Sequence, residues 1–137
     1  MLHLSPSASP LPLFLCCARG GCRLRHGWVQ RRGHLNLNCL WWPLAGRRFA
    51  AVVVVNYLHR PLFQYLVAAV APGGMLLYDT FAMGNEAFGR PSNPDFLLRP
   101  GELTACVAGA LEVVDYFHGR VETPKPAIKQ QICARRK

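Results

Sequence analysis

The sequence predicts an α/β fold in its second half: a strand, a helix and a parallel strand, followed by a helix and an antiparallel hairpin. The first observation is the β-branched run FAAVVVV at Phe49–Val55, which is typical of a strand buried on both faces. The second is an amphipathic stretch that begins at Pro61, a residue type favoured in the first turn of a helix. The third is a short apolar run at residues 75–78. Together they predict a strand–helix–strand unit with a right-handed crossover.

The remaining elements follow from turn residues and apolar periodicity. Pro-Gly-Gly at residues 72–74 predicts that the first helix ends near Ala71, because proline cannot continue a helix and glycine tolerates positive φ. The loop at residues 82–99 is too rich in aromatic and apolar side chains for a plain linker. A second helix is expected over residues 99–109, with strands over residues 111–117 and 127–134. The short connection between these strands predicts an antiparallel hairpin.

The charge distribution limits the classes of partner. Of the net charge of +9, residues 1–49 contribute seven arginines and no lysine, aspartate or glutamate. The remaining residues carry nine basic and seven acidic side chains, so the regular half has no excess of the kind that binds nucleic acid. No apolar run reaches the roughly 20 residues that a membrane span needs. We therefore expect a cytoplasmic protein whose partners include neither nucleic acid nor a membrane.

The first 41 residues differ from the rest. They form a basic segment rich in proline, arginine and cysteine without a regular apolar period, which predicts a disordered or mistranslated segment ahead of a domain at residues 42–137. Three functional interpretations stay open, each with weak support: a signal-peptide core, an arginine-rich arm that binds phosphates, and a zinc site at Cys16, Cys17, Cys22 and His26. The zinc spacing lacks a second pair, so no metal site is expected. Cys106 and Cys133 are expected in the core.

A series of short motifs resembles one protein family. WPLAGRRF before the valine run, NYLHRP after it, and then APGG, DTF, GNE, FGRP and LLRPGEL follow one another over residues 42–103. Over residues 42–136 the chain is similar to the second half of class I S-adenosylmethionine-dependent methyltransferases, in a bacterial small-molecule branch often grouped with tellurite-resistance enzymes. The resemblance implies the C-terminal part of a Rossmann-like sheet, with strands in the order fourth, fifth, seventh, sixth. It also implies S-adenosylmethionine as cofactor and a small-molecule methyl acceptor.

The resemblance also implies site residues at the carboxyl ends of the strands, where ligands bind open α/β sheets. The cofactor-binding positions are Asn56, Tyr57 and Leu58. The acceptor-binding positions are His59, Arg60, Asp79, Thr80, Phe81, Asn85, Glu86 and Phe88. Among these, a general base at His59 and an anion clamp at Arg60 are chemically reasonable, with capping or solvated roles as the alternatives. No catalytic residue is assigned.

The chain departs from the family where the cofactor would be held. The family uses a Gly-rich turn after its first strand and an acid at the end of its second, but here Gly20 and Gly21 follow CCAR and no acid precedes Asp79. Ala50 replaces the usual acid before the fourth strand. We therefore expect a truncated protein of doubtful activity that binds S-adenosylmethionine weakly. The alternative is a non-catalytic remnant or a partner-dependent interaction module.

The missing first strand has a further consequence for the sheet. In the complete fold it would cover the strand at residues 51–55, so this valine-rich strand is expected to form an exposed edge unless the first segment supplies a covering strand. An unpaired apolar edge is a template for pairing with another chain. The sequence therefore predicts self-association through this strand.

Overall fold

The computed structural model describes residues 13–18, 21–25 and 46–137 of the chain, the first two ranges as backbone only. These residues form one six-stranded mixed sheet in the order β2-β1-β3-β4-β6-β5. The strands are β1 (Leu13–Ala18), β2 (Gly21–Arg25), β3 (Phe49–Val55), β4 (Val70–Phe81), β5 (Glu112–Val121) and β6 (Ala127–Arg135). The helices are α1 (Phe63–Ala68) and α2 (Glu102–Val107), with single 3₁₀ turns at Arg60–Leu62, Asn85–Ala87 and Pro94–Phe96. No helix in the described residues is long and apolar enough to cross a membrane.

The predicted order of the last four strands is confirmed. β3 and β4 run parallel, with Val52 opposite Leu76. β6 runs antiparallel to β4, and β5 antiparallel to β6, which gives the expected closing hairpin. The sheet is thus the α/β arrangement predicted for the second half of the chain.

The Pro-Gly-Gly segment belongs to a strand rather than separating a helix from one. The prediction of a helix to Ala71 and a strand over residues 75–78 was wrong, because α1 ends at Ala68 and β4 begins at Val70. Val70 already pairs with Phe49, and the next pair joins Ala51 to Met75, so residues 71–74 bulge from the ladder. A residue directly after β6 holds the bulge, since Gly73 N–H donates to the Arg136 carbonyl at 2.8 Å.

The valine-rich strand is not an edge in this structure. β1 pairs parallel with β3 from Leu13 opposite Val52 to Cys16 opposite Val55, so the expectation of an exposed edge at residues 51–55 was wrong. The backbone of β1 supplies the hydrogen-bond partners of β3 that the prediction assigned to a second chain. Self-association itself stays a prediction. The division of the chain at residue 41 also stays one, although β1 and β2 lie in the segment expected to be irregular. The side chains of the proposed zinc site lie outside the described residues.

The two faces of the sheet differ in how they are covered. Beneath α1 and α2, the side chains of β3, β4 and β6 are buried, among them Val52, Val54, Leu76, Tyr78 and Ile132. On the opposite face, Leu77 and Phe117 are each 40% exposed, although both are large and apolar. This second surface is called the open face below. Because side chains alternate along a strand, Val53, Asp79, Phe81 and Lys129 also lie on the open face.

We predict that Gly74→Ala destabilises the protein more than Gly73→Ala does. A Cβ at Gly74 would lie 2.8 Å from the Ala50 carbonyl oxygen and 2.9 Å from that of Ala71, so the backbone would have to shift, at a cost of about 2–3 kcal/mol. A Cβ at Gly73 meets open space, and only its φ of +74° opposes alanine, at a cost of about 1 kcal/mol. Urea unfolding of both variants measures the two costs. Equal losses of stability would contradict the tight bulge.

Candidate functional site

The carboxyl ends of β3 and β4 bring three predicted site residues around one lysine. Lys129 Nζ donates to Asn56 Oδ1 at 2.9 Å and to both carboxylate oxygens of Asp79, at 3.0 and 3.1 Å. The same ammonium lies 5.0 Å from the centroid of the Phe81 ring, within the range of a cation–π contact. Asn56, Asp79, Phe81 and Lys129 are called the strand-end cluster below. Its members come from three strands or strand ends that are adjacent in the sheet.

Burial makes the cluster a defined charged unit rather than a solvated pair. The Lys129 side chain is 13% exposed and that of Asp79 is 31% exposed. Lys129 therefore neutralises the Asp79 carboxylate at close range, in a partly desolvated position where such contacts are stronger than at an exposed surface. Asp79 is consequently held as an ion-pair partner, and it does not present a free carboxylate at the strand end.

The backbone of Asn56 is also fixed. Its φ of +52° makes it the one non-glycine residue with positive φ in the described residues. Asparagine tolerates this region better than most residues. Its N–H donates to the Asp79 carbonyl at 2.8 Å, directly after the last β3–β4 pair. The end of β3 thus turns away from the sheet with its side chain anchored on Lys129.

A cavity of about 240 Å³ lies on the open face beside this cluster. Its lining includes the apolar residues Val53, Leu77 and Phe117 and the polar residues Asp115 and Gln131. Asp79 is the member that it shares with the strand-end cluster. The cavity therefore combines apolar and polar lining residues, and its volume is below the range of about 300–1,000 Å³ usual for small-molecule pockets.

Arg60, predicted to clamp an anionic acceptor, instead joins two segments of the protein. Its Nε and Nη2 donate to the two carboxylate oxygens of Glu102, at 2.6 and 3.0 Å. Nη1 and Nη2 also donate to the carbonyls of Asp95 and Leu97, at 2.8 and 2.9 Å. These four bonds occupy all but one of the five guanidinium N–H donors. Arg60 thus fastens the loop at residues 82–99 to the start of α2.

The Arg60–Glu102 pair has a clear electrostatic signature. Burial alone would raise the pKa of Glu102, but the hydrogen bond from Arg60, the Arg99 amide and the nearby positive charges outweigh burial and lower it. The hydrogen bond to Glu102 likewise raises the pKa of Arg60 against the opposing effect of burial. Both groups are therefore charged at neutral pH and bind each other.

The predicted cofactor-binding residues after Asn56 face the protein interior. Leu58 is 9% exposed and belongs to the hydrophobic core. Tyr57 is half-buried, and its carbonyl accepts a 2.8 Å hydrogen bond from the Tyr78 hydroxyl. Burial raises the pKa of Tyr78, so this hydroxyl stays a donor. His59 is half-buried at the start of a 3₁₀ turn, where its carbonyl accepts from Leu62 N–H and its side chain caps nothing.

The other predicted acceptor-binding residues divide between the core and the loop. Thr80 is 1% exposed, on the helix-covered face. Asn85 is 2% exposed and anchors the loop, because its Nδ2 donates to the Pro91 carbonyl and its Oδ1 accepts from Ile128 N–H. Glu86 accepts a bond from Gly84 N–H, and the 40% exposed Phe88 ring lies 5.0 Å from the Arg120 guanidinium. Only Asn56, Asp79 and Phe81 of the predicted set meet in one cluster.

Lys129 was missed from the sequence. In a strand over residues 127–134, side chains alternate between the two faces of the sheet, so Lys129 lies on the face opposite to Ile128 and Gln130. This alternation could have indicated its position. Its partner could not be identified from the sequence, because only the β4–β6 register places Lys129 opposite Phe81 and two pairs from Asp79.

Comparisons with known proteins define the class of fold. No family model matches the chain, and no curated protein is similar to it. Among solved structures, TehB from Haemophilus influenzae is similar, with 17% sequence identity, a TM-score of 0.54 and coverage of 66% of this chain. A W203A mutant of the 16S rRNA (adenine(1408)-N(1))-methyltransferase from Catenulisporales acidiphilia also matches, with 15% identity, a TM-score of 0.42, and coverage of 64% of this chain and 49% of that one.

The similarity is one of fold. The C-terminal part of the chain has a class I S-adenosylmethionine-dependent methyltransferase-like fold, as the sequence motifs implied. The particular structure that carries this comparison is TehB, of which the chain spans 36%.

We predict that the Arg60–Glu102 pair makes stability fall in acid. Because the folded-state pKa of Glu102 is lowered, its ionised form stabilises the protein above the ordinary value of 4.5, and this stabilisation is lost as pH falls through the folded-state pKa. Glu102→Gln should lower stability at neutral pH and flatten the slope below about pH 5. Urea unfolding at several pH values measures both effects.

Glu122→Gln is the matched control, because Glu122 also pairs with an arginine, Arg120, but is 65% exposed. It should leave the pH slope nearly unchanged. The same flattening in both variants would show that Glu102 has no special role.

Proposed function

We propose that the chain derives from an S-adenosylmethionine-dependent methyltransferase acting on a small molecule, and that it retains the acceptor side of the site. The strand-end cluster carries this proposal, because three residues implied by the family resemblance converge there on Lys129 beside a cavity of about 240 Å³. Ligands of open α/β sheets bind at this end of the strands. The protein's contribution to methyl transfer would be proximity and orientation of the acceptor.

The residues present fit the cofactor, S-adenosylmethionine, less well than they fit a methyl acceptor. S-adenosylmethionine needs a close backbone approach at a Gly-rich turn and an acid for its ribose hydroxyls. β1 is instead followed within two residues by the antiparallel β2, with Ala18 opposite Gly21, so no turn into a helix follows it. No aspartate or glutamate precedes Asp79 in the sequence. The truncation and the doubtful activity expected from the sequence are therefore part of this proposal.

A second candidate is a non-catalytic remnant or a partner-dependent interaction module. The observation in its favour is the open face, where the large apolar side chains of Leu77 and Phe117 are each 40% exposed. Apolar side chains grouped on one surface are typical of interaction sites. In either case we place the protein in the cytoplasm.

We predict weak or no binding of S-adenosylmethionine by the chain alone. Each missing charge-assisted hydrogen bond is worth about 1.5–3 kcal/mol, so losing two of them weakens binding by at least about two orders of magnitude. Isothermal titration calorimetry on the full chain tests this, with a cooperative thermal transition as the check that the sample is folded. Low-micromolar affinity would show that the chain holds the cofactor despite the missing groups.

A further inference from the structure

We propose that the cavity on the open face binds an amine, with the ammonium group at Asp115 and the apolar body of the ligand over Leu77. The inference rests on the proposed function in taking this cavity as the place where the methyl acceptor lies. It adds the chemical class of the acceptor, and it names the side chain that selects that class.

The strand register shows how the cavity is built. Its floor consists of two rows across β4, β6 and β5, with Leu77, Cys133 and Asp115 in the first and Asp79, Gln131 and Phe117 in the second. The two aspartates therefore lie at diagonally opposite corners. Because neighbouring strands are about 4.8 Å apart and β6 lies between β4 and β5, roughly 10 Å separates the strands that carry them. A small ligand thus meets the two carboxylates in different surroundings.

The Asp79 corner is already neutralised. Lys129 Nζ donates to both Asp79 carboxylate oxygens, at 3.0 and 3.1 Å, although Lys129 itself does not line the cavity. A cation brought to this corner would gain little from the paired carboxylate, and the lysine ammonium would repel it. The Asp79 corner therefore favours a neutral part of the ligand.

The Asp115 corner carries the charge that remains. Asp115 Oδ1 accepts a 2.8 Å hydrogen bond from Tyr116 N–H, and within the described residues no group donates to Oδ2. Among the described residues that line the cavity, none is basic. Arg135 lies on the same face, but its partner in the strand register is Glu112 rather than Asp115. Asp115 thus gives the cavity an uncompensated negative charge, which attracts an ammonium group and repels a carboxylate.

The apolar part of the lining sets the size of the ligand. Leu77 is 40% exposed in the first row, opposite Val53. The Phe117 ring leans over Gly119, where an added Cβ would lie 3.2 Å from the ring, so it forms a wall and leaves the floor open. The cavity volume of about 240 Å³ exceeds the roughly 150 Å³ of a cavity that holds benzene. The ligand that fits is therefore a single ring or a short aliphatic chain that ends in an amine.

The experiment is an NMR titration of the ¹⁵N-labelled full chain at neutral pH with benzylamine, benzyl alcohol and benzoate. These probes share one ring and are cationic, neutral and anionic in turn. The backbone amides of Leu77, Phe117 and Cys133 report binding. The wild type should bind benzylamine at least about fivefold more tightly than benzyl alcohol, and benzoate most weakly.

Two substitutions at the exposed residue Asp115 test the origin of this preference. Asp115→Asn removes the charge and keeps the size, so it should weaken benzylamine binding to the level of benzyl alcohol. Asp115→Lys should reverse the order, so that benzoate binds more tightly than benzylamine. A cooperative thermal transition shows that each variant is folded.

Glu112→Gln is the matched control, because it makes the same change in charge on the same strand. The Glu112 side chain is 55% exposed, and it does not line the cavity. This variant should keep the wild-type order of the three probes.

Four results would overturn the proposal. These are benzylamine binding no tighter than benzyl alcohol in the wild type, a preference that survives Asp115→Asn or Asp115→Lys, its loss in Glu112→Gln, and no binding of benzylamine at millimolar concentration. None of the titrations contains S-adenosylmethionine. A failure of the methyltransferase proposal would appear in calorimetry alone and would leave this result unaffected.

Discussion

The double pairing of β4, parallel with β3 on one side and antiparallel with β6 on the other, is the constraint on which the rest of the structure depends. Asn56 is positioned because its N–H continues the β3–β4 ladder to the Asp79 carbonyl. Lys129 reaches Asp79 because the β4–β6 register places it opposite Phe81. A slip of one residue in β6 would turn Lys129 toward the helix-covered face and leave Asp79 without its cation. The strand register that forms the sheet therefore also positions the residues of the strand-end cluster.

The loop at residues 82–99 is anchored by two residues that were predicted to bind the acceptor, Arg60 and Asn85. Arg60 holds the loop from the β3–α1 connection, and Asn85 holds it from β6. Both side chains satisfy backbone carbonyls or amides that a loop crossing the sheet end would otherwise leave without partners. The polar residues implied by the family resemblance thus serve two purposes. Some, such as Arg60 and Asn85, anchor the loop beside the strand ends, and the strand-end cluster is the surface at which we propose that a ligand binds.

The sequence predicted what local patterns determine and missed what long-range pairing determines. The bounds of β3 were correct because a β-branched run is a local signal. The start of β4 was wrong because the bulge depends on Phe49 and Arg136, which the Pro-Gly-Gly pattern cannot show. Asp79 was found as a strand-end acid, but its partner Lys129 is 50 residues away. Arg60 was found as a charge near the site, and its partner Glu102 is 42 residues away.

Lys129 and Asp79 form one partly buried ion pair that organises the strand ends. A double-mutant cycle with Asp79→Asn and Lys129→Met, measured by urea unfolding at neutral pH, tests it most directly. We expect a coupling free energy above about 1 kcal/mol, which is more than exposed ion pairs give. A coupling of zero within error would contradict it, because the two side chains would then contribute to stability independently.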